Sequence, residues 1–183
     1  MLGKARFANP QTLAVITVRA MKENSFVDLD FAPKQNLVYG GKLIKVNRQI
    51  CVLVEYDDRK KRFAGVSIFR TKNISRYRLW SRDERNSIKR NNVLEYTELL
   101  KLSKMSTLYS SLKHIDQSRL ISFFTDNNTD EYWVGRIVNV NRTVVTVRTV
   151  DKQGKSYATR KLPIKSIDFI GFLSDYEKRL EGK

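Results

Sequence analysis

The sequence predicts a mainly β protein in which two small antiparallel β-barrels are joined by a helical connector. Three observations predict this architecture. A short motif occurs twice, at Gly41–Arg48 and Gly135–Arg142, with an offset of 94 residues. Segments of alternating apolar and polar residues surround both copies, which is typical of half-buried strands. Between the copies, apolar residues recur at helical spacing. A repeat of this length indicates two modules rather than a solenoid of many short units.

The first module is predicted at residues 12–84, after a basic leader at residues 1–11. Asn47 is predicted to form a tight connection between two of its strands. Asparagine suits such a connection because it tolerates left-handed backbone angles. Residues 58–62 form a polar hairpin tip between two further strands. The predicted strands are Thr12–Met21, Phe26–Phe31, Leu37–Val46, Arg48–Asp57, Phe63–Phe69 and Ile74–Leu79.

The connector is predicted at residues 85–116, as one or two helices broken near Ser103–Thr107. Glutamates precede lysines along it, in the order that suits the helix dipole. A flexible linker would be more polar, so we expect the apolar face of the connector to pack on another part of the protein. The residues of that face are Val93, Tyr96, Leu99, Leu100, Leu108, Leu112 and Ile115.

The second module is predicted at residues 117–183 and ends in a closing helix at Leu173–Leu180. Asp126–Asp130 forms a long polar turn, and Gly154 supplies the positive φ that a hairpin loop requires. The predicted strands are Arg119–Thr125, Tyr132–Val140, Thr143–Val150, Ser156–Leu162 and Ser166–Phe172.

The two copies differ in one strand. Residues 50–54 are apolar on both faces, whereas the equivalent strand of the second copy carries Thr146 and Arg148 on one face. A strand that is apolar on both faces is covered on both. We therefore expect the first module to pack against the connector or the second module, so that the two modules form one packed unit.

The motif pattern resembles Sm-like and related SH3-like small barrels. The resemblance is carried best by Val134–Ile137, Val144–Val147, Gly154 and Ser166–Ile170, and less well by Gly41–Tyr77, which lacks the hairpin glycine. Many Sm-like proteins bind RNA, and other small barrels bind proteins. The paired loop motifs that hold RNA bases in the Sm-like family are not recognisable here, so the resemblance implies no binding residue.

The charge of the chain favours a polyanionic partner. The formal net charge is +16, with a pI near 10.1, which exceeds what solubility requires. Residues 59–90 contain twelve Lys and Arg but only two carboxylates, a net charge of +10. Cations at this density repel one another unless a counter-anion is bound. A solvated charged surface is the alternative interpretation.

The sequence offers little for catalysis. Cys51 lies in an apolar strand and is expected to be a buried structural thiol. His114 is the only histidine and Cys51 the only cysteine, so the usual zinc sites with several His or Cys ligands cannot be built. His114 is expected to be a helix-surface or packing residue. No phosphate-binding glycine loop is present. Acidic pairs such as Asp57 and Asp58 suit either turns or a divalent ion. We expect a non-enzymatic protein without cofactor or metal. No apolar run approaches membrane-spanning length, so a cytoplasmic location is the default.

The predicted function is non-catalytic binding of nucleic acid through the first module, with RNA or single-stranded DNA favoured over duplex. Cations neutralise phosphates, and an aromatic among them can stack a base. The candidate binding residues are Arg59, Lys60, Lys61, Arg62, Arg76, Arg78, Trp80, Arg82, Arg85, Lys89 and Arg90. In the alternative, the protein is an interaction module, or an inhibitor or regulator encoded by a mobile element, that docks on an acidic protein or a nucleoprotein complex.

Overall fold

A computed structural model describes residues 6–7, 26–31, 37–88, 101–125 and 128–182. Their strands form one antiparallel sheet of eleven strands in the order β1-β6-β2-β3-β4-β5-β11-β7-β8-β9-β10. The strands are β1 Arg6–Phe7, β2 Phe26–Phe31, β3 Val38–Val46, β4 Ile50–Asp57, β5 Arg62–Arg70, β6 Ile74–Leu79, β7 Leu120–Thr125, β8 Asn128–Val140, β9 Val144–Val150, β10 Ser156–Pro163 and β11 Ile167–Phe172. The helices are α1 Arg82–Asn86, α2 Leu108–His114 and α3 Asp175–Leu180, and 3-10 turns lie at Thr71–Asn73 and Ile164–Ser166.

Both halves of the sheet have the same strand order. In each half, four strands form a meander and the fifth returns to pair with the first, giving β6-β2-β3-β4-β5 and β11-β7-β8-β9-β10. A 3-10 turn precedes the returning strand, and a helix with a serine–glutamate capping box follows it. The β3–β4 and β8–β9 pairs each contain an irregularity, at Leu43/Lys45 and Ile137/Asn139, which are 94 residues apart.

The predicted separation into two barrels joined by a helical connector is wrong, because β5 of the first half pairs directly with β11 of the second. Phe69 lies opposite Phe169, and Ile68 lies opposite Ile170. An unpaired β5 would leave a row of backbone donors and acceptors without partners, and β11 supplies those partners. Among the described strands the sheet is open and ends at β1 and β10. The domain ranges 1–11, 12–84, 85–116 and 117–183 stay predictions.

Two core clusters lie on opposite faces of the first half. The shared cluster contains Ile50, Val52 and Val54 together with residues of β7–β11 and of the connector. The second cluster contains Cys51 and Leu53, which point to the other face of β4. All five residues are almost completely buried, so the prediction that this strand is covered on both faces is confirmed. The buried free thiol of Cys51 is also as predicted.

The described part of the connector belongs to the core. Residues 101–104 are helical, and α2 follows after a break at residues 105–107. The side chains that these segments bury in the shared cluster are Leu102, Met105, Leu108, Leu112 and Ile115. The connector therefore fills the core between the halves and does not link separate barrels. The connector residues 89–100, the leader residues 1–5 and 8–11, and the predicted strand Thr12–Met21 lie outside the described residues.

Two turn predictions need correction. Asn47 does not take a left-handed conformation. Its Oδ1 accepts the backbone N–H groups of Gln49 and Ile50, and Asn141 does the same with Thr143 and Val144. This hydrogen bonding closes the turn without positive φ. The strand β8 begins at Asn128, inside the predicted turn 126–130. Gly154 has φ +80°, as predicted.

Candidate nucleic-acid interface

The basic hairpin tip of the first half is docked on the second half. The Nη2 of Arg62 donates to both carboxylate oxygens of Asp175, at 2.7 and 2.6 Å, and Lys60 also pairs with Asp175. Lys61 pairs with Asp58. Arg59 is exposed and forms no ion pair with a described residue. The hydrogen bonds from Lys60 and Arg62 lower the pKa of the Asp175 carboxyl below its ordinary value, which favours its ionised form. Three of the four hairpin cations are thus already matched with carboxylates.

Arg78 and Trp80 are held by the acidic side chain of Asp28. The Nε of Arg78 donates to Asp28 at 2.8 Å, its Nη1 donates to Glu84 at 2.7 Å, and the indole N–H of Trp80 donates to Asp28 at 2.7 Å. The indole also packs on Phe26 and Tyr56, with ring centroids 5.4 and 5.8 Å away. The indole of Trp80 is thus partly buried and already engaged by two aromatic rings and by Asp28.

The other predicted site residues are dispersed. Arg76 is exposed on β6, and Arg82 and Arg85 lie in α1, because β6 ends at Leu79. The Nε of Arg85 is buried without a hydrogen-bond partner among the described residues. Lys89 and Arg90 lie outside the described residues. Arg76 and Arg78 lie on β6, whereas Trp80 follows the strand and Arg82 begins α1, so these four candidate residues do not share one strand face.

A second basic surface, which sequence reasoning did not single out, lies on β8, β9 and β10. Arg136 is directly opposite Arg148, which is directly opposite Thr159, and Lys161 is opposite Thr146. Since Val145 and Val147 point into the shared cluster, Thr146 and Arg148 point outward. We call the outward surface formed by Arg136, Arg148, Lys161, Thr146 and Thr159 the basic face.

The cations of the basic face have no carboxylate partner among the described residues. Arg136 donates from Nε to the carbonyl of Ser118 at 3.1 Å, and Arg148 and Lys161 are exposed. Residues 135–166 contain eight Lys and Arg against the single carboxylate of Asp151, a net charge of +7. Asp151 is engaged with the backbone N–H groups of Gln153 and Lys155. The cations of residues 135–166 are therefore less neutralised by carboxylates than those of the hairpin tip.

An arginine–tryptophan stack lies at the edge of the same three strands. The guanidinium carbon of Arg160 is 3.9 Å from the ring centroid of Trp133, within the range of a cation–π interaction. Arg160 is exposed on the edge strand β10, and Trp133 is partly buried against the shared cluster. Trp133 and Arg160 lie 27 residues apart in the sequence. Only the pairing of β8, β9 and β10 places them together, so local charge density along the chain could not reveal this contact.

The described residues contain no group of three or more His, Cys, Asp or Glu that could hold a metal ion. The buried Asp168 accepts from Asn73, and the buried Glu177 accepts from Ser122 and Ser174. The partly buried Glu55 accepts from Ser67. Asp57 accepts the backbone N–H groups of Arg59 and Lys60, which is turn chemistry. No helix in the described ranges is long and apolar enough to cross a membrane.

Replacing Glu55 by glutamine is expected to remove a pH dependence of stability. Burial, and secondarily the nearby Glu177, raise the pKa of the Glu55 carboxyl above its ordinary value, although the Ser67 hydroxyl opposes the shift. Between the ordinary carboxyl pKa and the raised pKa of Glu55, the folded chain holds a proton that the unfolded chain releases. The free energy of unfolding therefore falls as pH rises through this range. Denaturant unfolding of the parent should show that decline, and Glu55→Gln should reduce it. Asp58→Asn, at an exposed carboxyl, is the control. Identical pH profiles for the parent and Glu55→Gln would contradict the expectation.

Comparison with known proteins does not indicate a function for this chain. No protein-family profile matches the sequence, and no curated protein matches it. Among solved structures, YcgR from Escherichia coli in complex with c-di-GMP is similar at 10% identity and a TM-score of 0.21, covering 96% of this chain and 89% of the other. A TM-score this low does not establish a shared fold. These results do not bear on the resemblance to Sm-like barrels.

Proposed function

We propose that the protein binds nucleic acid through the basic face and carries out no reaction on it. One observation carries the proposal. Arg136 and Arg148 lie directly opposite each other on neighbouring strands, without a carboxylate partner among the described residues. Like charges in that position destabilise a sheet, and a bound phosphate would relieve the repulsion.

The composition of the basic face supports a phosphate backbone as the ligand. Thr146 and Thr159 lie beside its cations, and hydroxyl groups commonly donate hydrogen bonds to phosphate oxygens. The neighbouring turns add positive charge, since Lys152, Lys155 and Lys165 are exposed in them. This distribution suits a long polyanion better than one small anionic ligand.

The structure also gives a reason to prefer this surface over the hairpin predicted from sequence. Binding a phosphate at Lys60 or Arg62 would compete with Asp175, which already accepts from both. At Arg148 and Lys161 no carboxylate of the described residues has to be displaced. Binding at the basic face therefore breaks fewer existing ion pairs than binding at the hairpin.

The proposal is tested by the salt dependence of binding to labelled oligonucleotides. Each lost phosphate contact should flatten the log–log salt slope by about 0.7 for single strands or 0.9 for duplex. The triple variant Arg136→Ala/Arg148→Ala/Lys161→Ala should lower the slope by about two units on single strands. The matched variant Lys60→Ala/Lys61→Ala/Arg62→Ala removes the same formal charge and should change the slope less.

Two outcomes count against the proposal. If the parent shows no salt-dependent binding to RNA, single-stranded DNA or duplex, nucleic acid is not its ligand, and docking on an acidic protein becomes the better hypothesis. If only the hairpin variant weakens binding, the ligand is correct but the surface is the one predicted from sequence. Circular dichroism of both variants should show that each is folded.

A further inference from the structure

The stack of Arg160 on Trp133 has no evident structural necessity. Arg160 is exposed on the edge strand β10, and Trp133 is already packed against the shared cluster. Arg160 lies directly opposite the buried Val147. At that position on a sheet an apolar side chain would cover the core as well as an arginine does.

The geometry of β10 places this stack at the same sheet edge as the basic face, on the opposite face of the strand. Thr159 and Lys161 point outward, whereas Arg160 and the buried Leu162 point to the core side of the strand. Because β10 pairs only with β9 among the described strands, its other edge is not covered by another of them. A polymer that contacts Lys161 can therefore pass over this edge and reach Arg160. Tyr157, which is 56% exposed, lies on the same strand.

We propose that an unpaired base stacks on the Arg160 guanidinium, which is sandwiched between that base and Trp133. The guanidinium is planar, and only one of its two faces is needed for the indole. Among the described residues, Trp133 is the only aromatic ring found over or under Arg160. The other face is then available to a nucleobase, while phosphates of the same strand lie on Lys161 and Arg148.

This arrangement selects single strands, of RNA or of DNA. In a duplex the bases are stacked on one another and paired, so their faces are not available to Arg160. In a single strand every base has an accessible π-face, and stacking on protein side chains contributes without regard to sequence. The inference rests on the proposed function, because the basic face must first hold the backbone.

The test is the substitution Arg160→Lys, which keeps the charge but removes the planar group. Arg142→Lys is the matched control, because Arg142 is also exposed but has no stacking partner among the described residues. Oligo(U), oligo(dT) and a duplex of equal length are the probes. Arg160→Lys should weaken binding of both single strands by at least about fivefold and leave duplex binding unchanged, as expected for loss of one stacked base. Arg142→Lys should change neither.

Tryptophan emission supplies a second readout. Binding of oligo(dT) should alter the emission of Trp133, and Trp80→Phe identifies the signal as that of Trp133, since the chain has two tryptophans. Arg160→Lys should abolish the change. If Arg160→Lys and Arg142→Lys bind every probe equally, the stack is only a packing contact, and this inference fails although the basic-face variant can still support the proposed function. If the parent binds no probe, both fail together.

Discussion

Replacing Gly135 by alanine is expected to destabilise the protein by about 3 kcal/mol or more, at the upper end of what overpacking costs. A Cβ at Gly135 would overlap the backbone carbonyl oxygen of Arg148 on the neighbouring strand. Gly41 makes the equivalent close approach to the carbonyl of Val54, 94 residues earlier. A backbone carbonyl within a ladder cannot move without breaking strand pairing, so Gly41→Ala should have a similar effect. Denaturant unfolding measures both.

Gly40 provides the matched control for Gly41. A Cβ at Gly40 would lie 2.9 Å from Oδ1 of Asp28 and 3.3 Å from the Trp80 ring, so it meets side chains rather than backbone. A side chain can shift at lower cost than a strand, and Gly40→Ala should therefore destabilise less than Gly41→Ala. Equal losses at Gly40 and Gly41 would show that close approach of the backbone is not the reason for glycine at position 41.

Replacing Phe169 by alanine is expected to lower the free energy of unfolding by about 3–5 kcal/mol, because it removes a large buried ring and leaves a cavity. Phe169 is 5% exposed. Its ring lies 5.3 Å from that of Phe69 in the first half and 5.1 Å from that of Phe124 in the second. Since a domain is stable by only about 5–15 kcal/mol, the loss should be large enough to affect both halves.

The same variant tests whether the halves unfold together. Trp80 lies in the first half and Trp133 in the second, so single-tryptophan variants report on each half separately. Both signals should be lost at one denaturant midpoint in the parent, and both midpoints should fall equally in Phe169→Ala. Tyr157→Ala, at an exposed edge position, should change stability by less than about 0.5 kcal/mol. Two separate transitions would indicate independent domains.

Local pattern was sufficient to predict most strands. Phe26–Phe31 and Ile74–Leu79 have the predicted bounds, and most other described strands begin and end within two residues of the predicted bounds. The exceptions are β8, which begins four residues earlier than predicted, and β1, which lies in the predicted leader. Alternation reports which residues face a core, which is a local property. It also indicated correctly that β4 is covered on both faces. It does not say which strand lies beside which, and the pairing of β5 with β11 joins residues about 100 positions apart.

The difference between local pattern and spatial neighbours also explains why the sequence and the structure point to different candidate surfaces. Charge density along the chain pointed to residues 59–90, but it could not show that Asp175 lies on Lys60 and Arg62, more than a hundred residues later in the sequence. In the second half the cations are spread out along the chain. Strand register brings Arg136 and Arg148 opposite each other. Whether a cation is neutralised depends on its neighbours in space, which only the fold supplies.

The place of β11 in the sheet has a consequence for how the chain folds during synthesis. It is the last described strand in sequence, yet it lies between β5 and β7 near the middle of the sheet. Until it leaves the ribosome, the first half has an unpaired β5 edge and the second half lacks its returning strand. Long-range pairing of this kind slows folding and exposes aggregation-prone edges meanwhile. We expect the nascent chain to depend on chaperones over that interval, with native pairing completed only after β11 is made.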